Sequence, residues 1–204
     1  MAIMDKQDAL TSNLFAQLAA DTKVSRVADS KSWDNYFYNY LTIMGWISTD
    51  PGVSHREISL TDDHFVLANF LQEELNNQLS HSEFSFLQRF LIAFEKLPDT
   101  NDAVKLLYYK TYEENSVNFM LTVFDETNTG ETSLLVFQVS FKMCKPFQSY
   151  LFHQYETSCI ANKKIFVTLS RHLFNKGQYS RVREGVIKKV GAHMDRFVKK
   201  ISFQ

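Results

Sequence analysis

Apolar residues recur every three or four positions through the first half of the chain and every second position further on, which predicts helices followed by strands. Leu10, Leu14, Phe15 and Leu18 mark one face of a helix from about Gln7 to Ala20. For the second helix Ser32 is the expected N-cap; Trp33, Phe37, Tyr40, Leu41 and Met44 follow at helical spacing, and Gly45 supplies a left-handed end. Trp46 and Ile47 then leave for a turn. Thr61-Asp62-Asp63 places a cap and two carboxylates ahead of Phe65, Leu67, Phe70, Leu71, Leu75 and Leu79, which predicts a third helix starting there. Ser82 with Glu83 restarts the pattern, and Phe84, Leu87, Phe90, Leu91, Phe94 and Leu97 predict a fourth helix that Pro98 stops. Thr100 caps a short fifth, from about Asn101 to Tyr109.

The period then drops to two. In Val117 to Val123 the odd positions Val117, Phe119, Leu121 and Val123 are apolar, and beyond the turn sequence Asp125 to Glu131 the pattern resumes at Leu135, Phe137, Val139, Phe141 and Met143, which predicts a hairpin. Asn118, Thr122, Gln138, Ser140 and Lys142 make its second face polar, a face expected to meet water or a partner. Pro146 ends that strand; Tyr150 to Tyr155 and Lys164 to Leu169 read as two more. The chain closes with an amphipathic helix from about Gln178 to Ile201, with Tyr179, Val182, Val186, Val190, Met194, Phe197 and Ile201 on its stripe. The expected fold class is α+β: N-terminal helices packed on a roughly four-stranded antiparallel meander, closed by a long C-terminal basic amphipathic helix. One domain over residues 1–204 is expected, mainly helical over 1–110, mainly stranded over 116–170 and ending in the helix at 178–201.

Charge adds something that periodicity does not. Residues 163–204 hold 11 Lys and Arg against 2 Asp and Glu, whereas residues 1–162 hold 11 against 21. The net charge of −1 therefore hides a polar chain. Such a split points to an acidic counterpart, either within the molecule or outside it. The outward positions Arg181, Arg183, Lys188, Lys189, Arg196, Lys199 and Lys200 are the candidate contact residues. Tyr36, Tyr38 and Trp46 join them, because the run Trp33 to Trp46 carries more aromatics than one buried face uses and tyrosine suits interfaces.

Catalytic and metal signatures do not emerge. The six histidines are dispersed without HxxxH or HExxH spacing, GxSxG and SxxK are missing, and the glycines form no phosphate-cradling loop. Cys144 and Cys159 lack CxxC spacing and read as structural thiols in a reducing cytoplasm, with leaderless export as the other route. The start of the chain is too polar for a secretory signal, and no apolar run is long enough for a membrane span. The resulting expectation is a non-enzymatic protein–protein interaction or self-assembly protein using complementary acidic and basic surfaces, with no cofactor and no metal. Its partner is itself or another protein. A membrane-active or virulence-type factor on an anionic lipid surface is the alternative, and an enzyme of unknown reaction the third reading. Nucleic acid is disfavoured, since Tyr179 and Phe197 lie on the apolar stripe rather than beside the cations.

Overall fold

The computed structural model describes residues 3–49, 52–127, 129–144 and 151–191. Helices α1 (Ile3–Asp21) and α2 (Ser30–Ile43) lead into strand β1 (Trp46–Ser48) and strand β2 (Ser54–Ser59). A two-residue strand β3 (His64–Phe65) precedes α3 (Leu67–Leu75), α4 (His81–Glu95) and α5 (Asp102–Thr111). Then come β4 (Tyr112–Glu113), the hairpin β5 (Ser116–Glu126) and β6 (Thr132–Lys142), β7 (Tyr155–Glu156), β8 (Lys164–Phe174), α6 (Lys176–Ser180) and α7 (Arg183–Gly191).

The fold is mixed α+β around an antiparallel sheet, but the sheet is not a four-stranded meander. Its order is β1-β8-β6-β5-β4, with β2 also paired to β8. β8 is therefore central: β6 lies along one edge, while β2 and β1 follow one another along the other, Ser54 opposite Leu169 and Trp46 opposite Phe174. Trp46 and Ile47 thus form a strand where a turn was expected. The expected strand at Tyr150 to Tyr155 shrinks to β7, which pairs with β3 apart from the main sheet; Tyr150 lies outside the described residues.

The hairpin has the expected register, Val117 opposite Phe141 and Leu121 opposite Phe137. Its polar face, however, is not open. Phe119, Leu135, Phe137, Val139, Ile165 and Val167 pack with Leu71, Leu87, Leu91 and Phe94 of α3 and α4. On the other face, Leu134, Val136 and Phe174 pack with Ala16, Trp33, Phe37 and Leu41 of α1 and α2 and with Tyr179, Val186 and Val190. Helices cover both sides, so Asn118 and Gln138 are buried, Thr122 and Ser140 are half-buried, and only Lys142 of the expected polar face is exposed.

Local signals explain most element ends. Asp29, not Ser32, caps α2 by accepting from the Ser32 N–H, and Asn101, not Thr100, caps α5 through the Ala103 N–H. Ser80 opens α4 two residues before Ser82, because its hydroxyl accepts from the Glu83 N–H while the Glu83 carboxylate accepts from the Ser80 N–H. The expected start at Thr61-Asp62-Asp63 is wrong: the carbonyls of Asp62 and Asp63 accept from the Thr157 hydroxyl and that of Asp63 from the Thr157 N–H, which holds Asp62 and Asp63 in a bend ahead of β3. The long terminal helix is interrupted between Ser180 and Arg183, and its expected continuation past Gly191 lies outside the described residues.

Candidate functional site

Two constellations hold most of the candidate chemistry. The first is the surface of α6 and α7. The Asn175 side chain accepts from the Gln178 N–H to start α6, and Gln178 Nε2 donates to the Thr42 carbonyl at 2.7 Å. Gly45 makes that junction possible. At φ +88 it is left-handed, and a Cβ there would stand 2.7 Å from the Asn175 carbonyl oxygen. Val186 and Val190 seal α7 inward at 3% and 1% exposure, so its basic face is a fixed surface rather than a free arm.

Several cations of the basic segment turn back on the chain's own acids. Arg183 Nε donates to both Asp8 carboxylate oxygens at 2.9 Å, which pushes its pKa up. Lys164 pairs with Glu57 at 2.6 Å and Arg171 with Glu83 at 3.5 Å. Lys189 lies 6.0 Å above the Phe15 ring. Arg181 and Lys188 are exposed and form no ion pair with any described residue, and Ile187 beside them is 40% exposed. Arg196, Lys199 and Lys200 lie outside the described residues. The aromatic candidates separate: Tyr36 is exposed, whereas Trp46 is fully buried, its Nε1 donating to Ser12, and Tyr38 turns into the sheet. Trp46 and Tyr38 are therefore corrected from contact residues to interior ones, since each ring fills space between helix and sheet and each polar tip finds an inward partner.

The second constellation sits under α2 on the polar face. Gln138 Nε2 donates to Asp34 at 2.8 Å, the Tyr38 hydroxyl donates to Gln138 Oε1 at 3.4 Å, and the Ser170 hydroxyl donates to Tyr38 at 3.2 Å. His172 Nε2 meets Ser170 at 2.9 Å and stacks on the Tyr38 ring. Burial raises the Asp34 carboxyl to about 6, against the hydrogen bond from Gln138 and the charge of Arg26, and burial lowers His172 to about 4. Arg26 is buried beside them, its pKa lowered by desolvation despite Asp21 and Asp34. Its guanidinium donates to Asp21 at 3.3 Å and lies 4.3 Å from the Trp33 ring centre, while Trp33 Nε1 and Lys110 Nζ also donate to Asp21. Past this charged knot a cleft of about 250 Å³ opens between α1, α4 and α5, lined by Leu14, Leu18, Phe90, Phe94, Leu107 and Met120.

Sequence reasoning missed this network because its members come from positions 21 to 172. The one local signal was the alternation that made Asn118, Gln138 and Ser140 polar, which predicts a face turned to water or a partner rather than to α2. Asn118 instead donates to the Arg26 carbonyl at 2.8 Å and is 2% exposed. His172 is 3% exposed, and no cluster of three metal-ligating side chains occurs among the described residues.

No family model matches this sequence, and no curated protein does. Among solved structures, one described as the structure of the Evf virulence factor aligns with 96% of this chain and 73% of its own, at 14% identity and a TM-score of 0.35. Neither fold nor function is transferred from a superposition that loose. No described helix is long and apolar enough to cross a membrane.

Proposed function

We propose that the chain acts by macromolecular contact, as an interaction or self-assembly protein whose docking surface is the basic side of α6 and α7. The observation that supports this is the combination of a sealed inner stripe with Arg181 and Lys188 left outward and unpaired among the described residues. A cation fixed on a packed helix presents its charge without the ordering cost that a free arm incurs on binding. The acidic remainder of the chain, with 21 Asp and Glu against 11 Lys and Arg over residues 1–162, supplies charge of the opposite sign on a second copy. Exposed Ile187 beside Lys188 keeps an anionic membrane surface as the second reading.

Light scattering of the whole chain across protein concentration and ionic strength tests this. Association at low salt that fades at high salt, and that is lost when Arg181→Glu and Lys188→Glu are combined, is the expected result. A monomer at high concentration and low salt removes self-assembly. Flotation with anionic vesicles, against neutral ones, separates the membrane reading.

A further inference from the structure

We infer that Cys144 and Cys159 form a redox-responsive pair that closes into a disulfide and staples the segment carrying β7 to the end of β6. The two residues are 15 positions apart in sequence yet meet in space. An isolated antiparallel bridge pairs Met143 with Ile160, and Cys144 and Cys159 are the residues next to it, Cys159 ending a single 3-10 turn (Thr157–Cys159). The Cys144 N–H donates to the Cys159 carbonyl at 2.7 Å. That one bond, with the backbone lengths on either side of it, holds the two Cα atoms within about 6.6 Å of each other, inside the span of about 4.4–6.8 Å that a disulfide bridges. The Cys144 sulfur leans toward the opposing segment, 3.9 Å from the Ser158 carbonyl oxygen. Both thiols are free, Cys144 is exposed and Cys159 half-buried, so a small oxidant reaches Cys144 first.

The chemistry is thiol–disulfide exchange with a low-molecular-weight disulfide such as oxidised glutathione. The Cys144 thiolate attacks one sulfur of the reagent, forming a mixed disulfide and releasing one glutathione. The Cys159 thiolate then displaces the second glutathione and forms the internal bond. Two electrons pass to the reagent, and the two protons of the cysteine thiols end on the two released glutathiones.

What the staple would hold is specific. The segment between the cysteines places the Leu151 carbonyl on the Ala68 N–H at 2.8 Å, at the start of α3, where the N-cap Val66 offers no side-chain acceptor. The same segment pairs Tyr155 with Phe65 and anchors Thr157 on Asp62 and Asp63. Oxidation therefore fixes the strand that supports the entry to α3, and reduction leaves it to hydrogen bonds and packing.

The test is to equilibrate the full chain in glutathione buffers from reducing to oxidising and to map disulfides without reduction. Expected are loss of both free thiols, one intrachain 144–159 link, and a Tm higher by roughly 6–10 °C for a closed ring of about 15 residues. Proteolysis between positions 144 and 159 slows in step. Cys144→Ser, at an exposed position that tolerates the change, abolishes the link and the Tm difference between the two buffers. Thiols that stay free under oxidising conditions, that carry separate glutathiones, or that link two chains would overturn the inference.

Discussion

Toward α3 and α4 the strands β5, β6 and β8 present Phe119, Leu135, Phe137, Val139, Ile165 and Val167. Toward α2, one residue away along the same strands, they present Asn118, Gln138, Thr168, Ser170 and His172, all at 8% exposure or less. The first interface is held by area removed from water, which is non-directional and indifferent to pH. The second adds to the apolar packing of Leu134 and Val136 on Trp33 and Phe37 a set of hydrogen bonds whose donors and acceptors must coincide and whose members titrate. One sheet thus carries a side that tolerates adjustment and a side that fixes the position of α2 in register. Asn13 Oδ1, Asn118 Oδ1, Arg26 Nε and His172 Nδ1 are buried and find no hydrogen-bond partner among the described residues.

Phe137→Ala breaks the apolar side most severely. The ring is fully buried, so about 3–5 kcal/mol of stability should be lost, by the same amount at pH 5 and pH 8 in urea titrations. A loss that varies with pH would show that the two sides are not independent.

The titratable pair gives the next largest effect and the sharpest contrast. Asp34, raised from its ordinary 3.8 to about 6, favours the folded state when protonated; that stability is fully present below pH 3.8 and lost as pH rises through 6. Asp34→Asn should therefore gain on the order of 3 kcal/mol near pH 7.5 and gain little at pH 4. His172 runs the other way. Lowered from 6.5 to about 4, it contributes stability that is present above pH 6.5 and is lost as pH falls through 4. His172→Gln should remove a comparable acid sensitivity, roughly 3 kcal/mol across that window. In the native chain the two slopes oppose each other, so stability between pH 4 and 6 stays flatter than in either variant; two variants with parallel profiles would dissolve the distinction.

Tyr38→Phe comes next, costing about 1–2 kcal/mol because Gln138 and Ser170 each lose a partner while the ring stacking on His172 is kept. Ser80→Ala, on the apolar side's α4, should cost about 1 kcal/mol through its capping box alone and leave the pH profile unchanged. Both are read from the midpoint of chemical denaturation.

The sequence pattern carried the helices and the hairpin because their determinants are local: α4 has its periodic stripe and Pro98 beyond it, and β5 and β6 have their alternation. What it did not carry is pairing at long range. β2, Ser54–Ser59, is a run of polar and charged residues with only Ile58 apolar, and it is a strand because β8, more than 100 positions later, offers an edge. The stretch at Thr61-Asp62-Asp63 has the composition of a helix start, but its carbonyls are taken by Thr157. For the candidate site, the outward charges Arg181 and Lys188 followed from helical spacing, while the inward pairing of Arg183 with Asp8 depends on where α1 lies. Tyr38 was visible as a residue off the helix stripe; its use inside the molecule required Gln138 and Ser170 to be brought beneath it.

The central place of β8 has a consequence for how the chain comes into being. β1, β2 and β6 all await a strand near the end of the sequence, so a nascent chain emerging at roughly 5–20 residues per second must wait on the order of ten seconds between making β2 and receiving its neighbour. During that interval Trp33, Phe37, Leu41 and Trp46 have no sheet edge completed beneath them. A chain in which β8 has not yet been made is therefore its most adhesive form, and the arrival of β8 is the step that covers these rings.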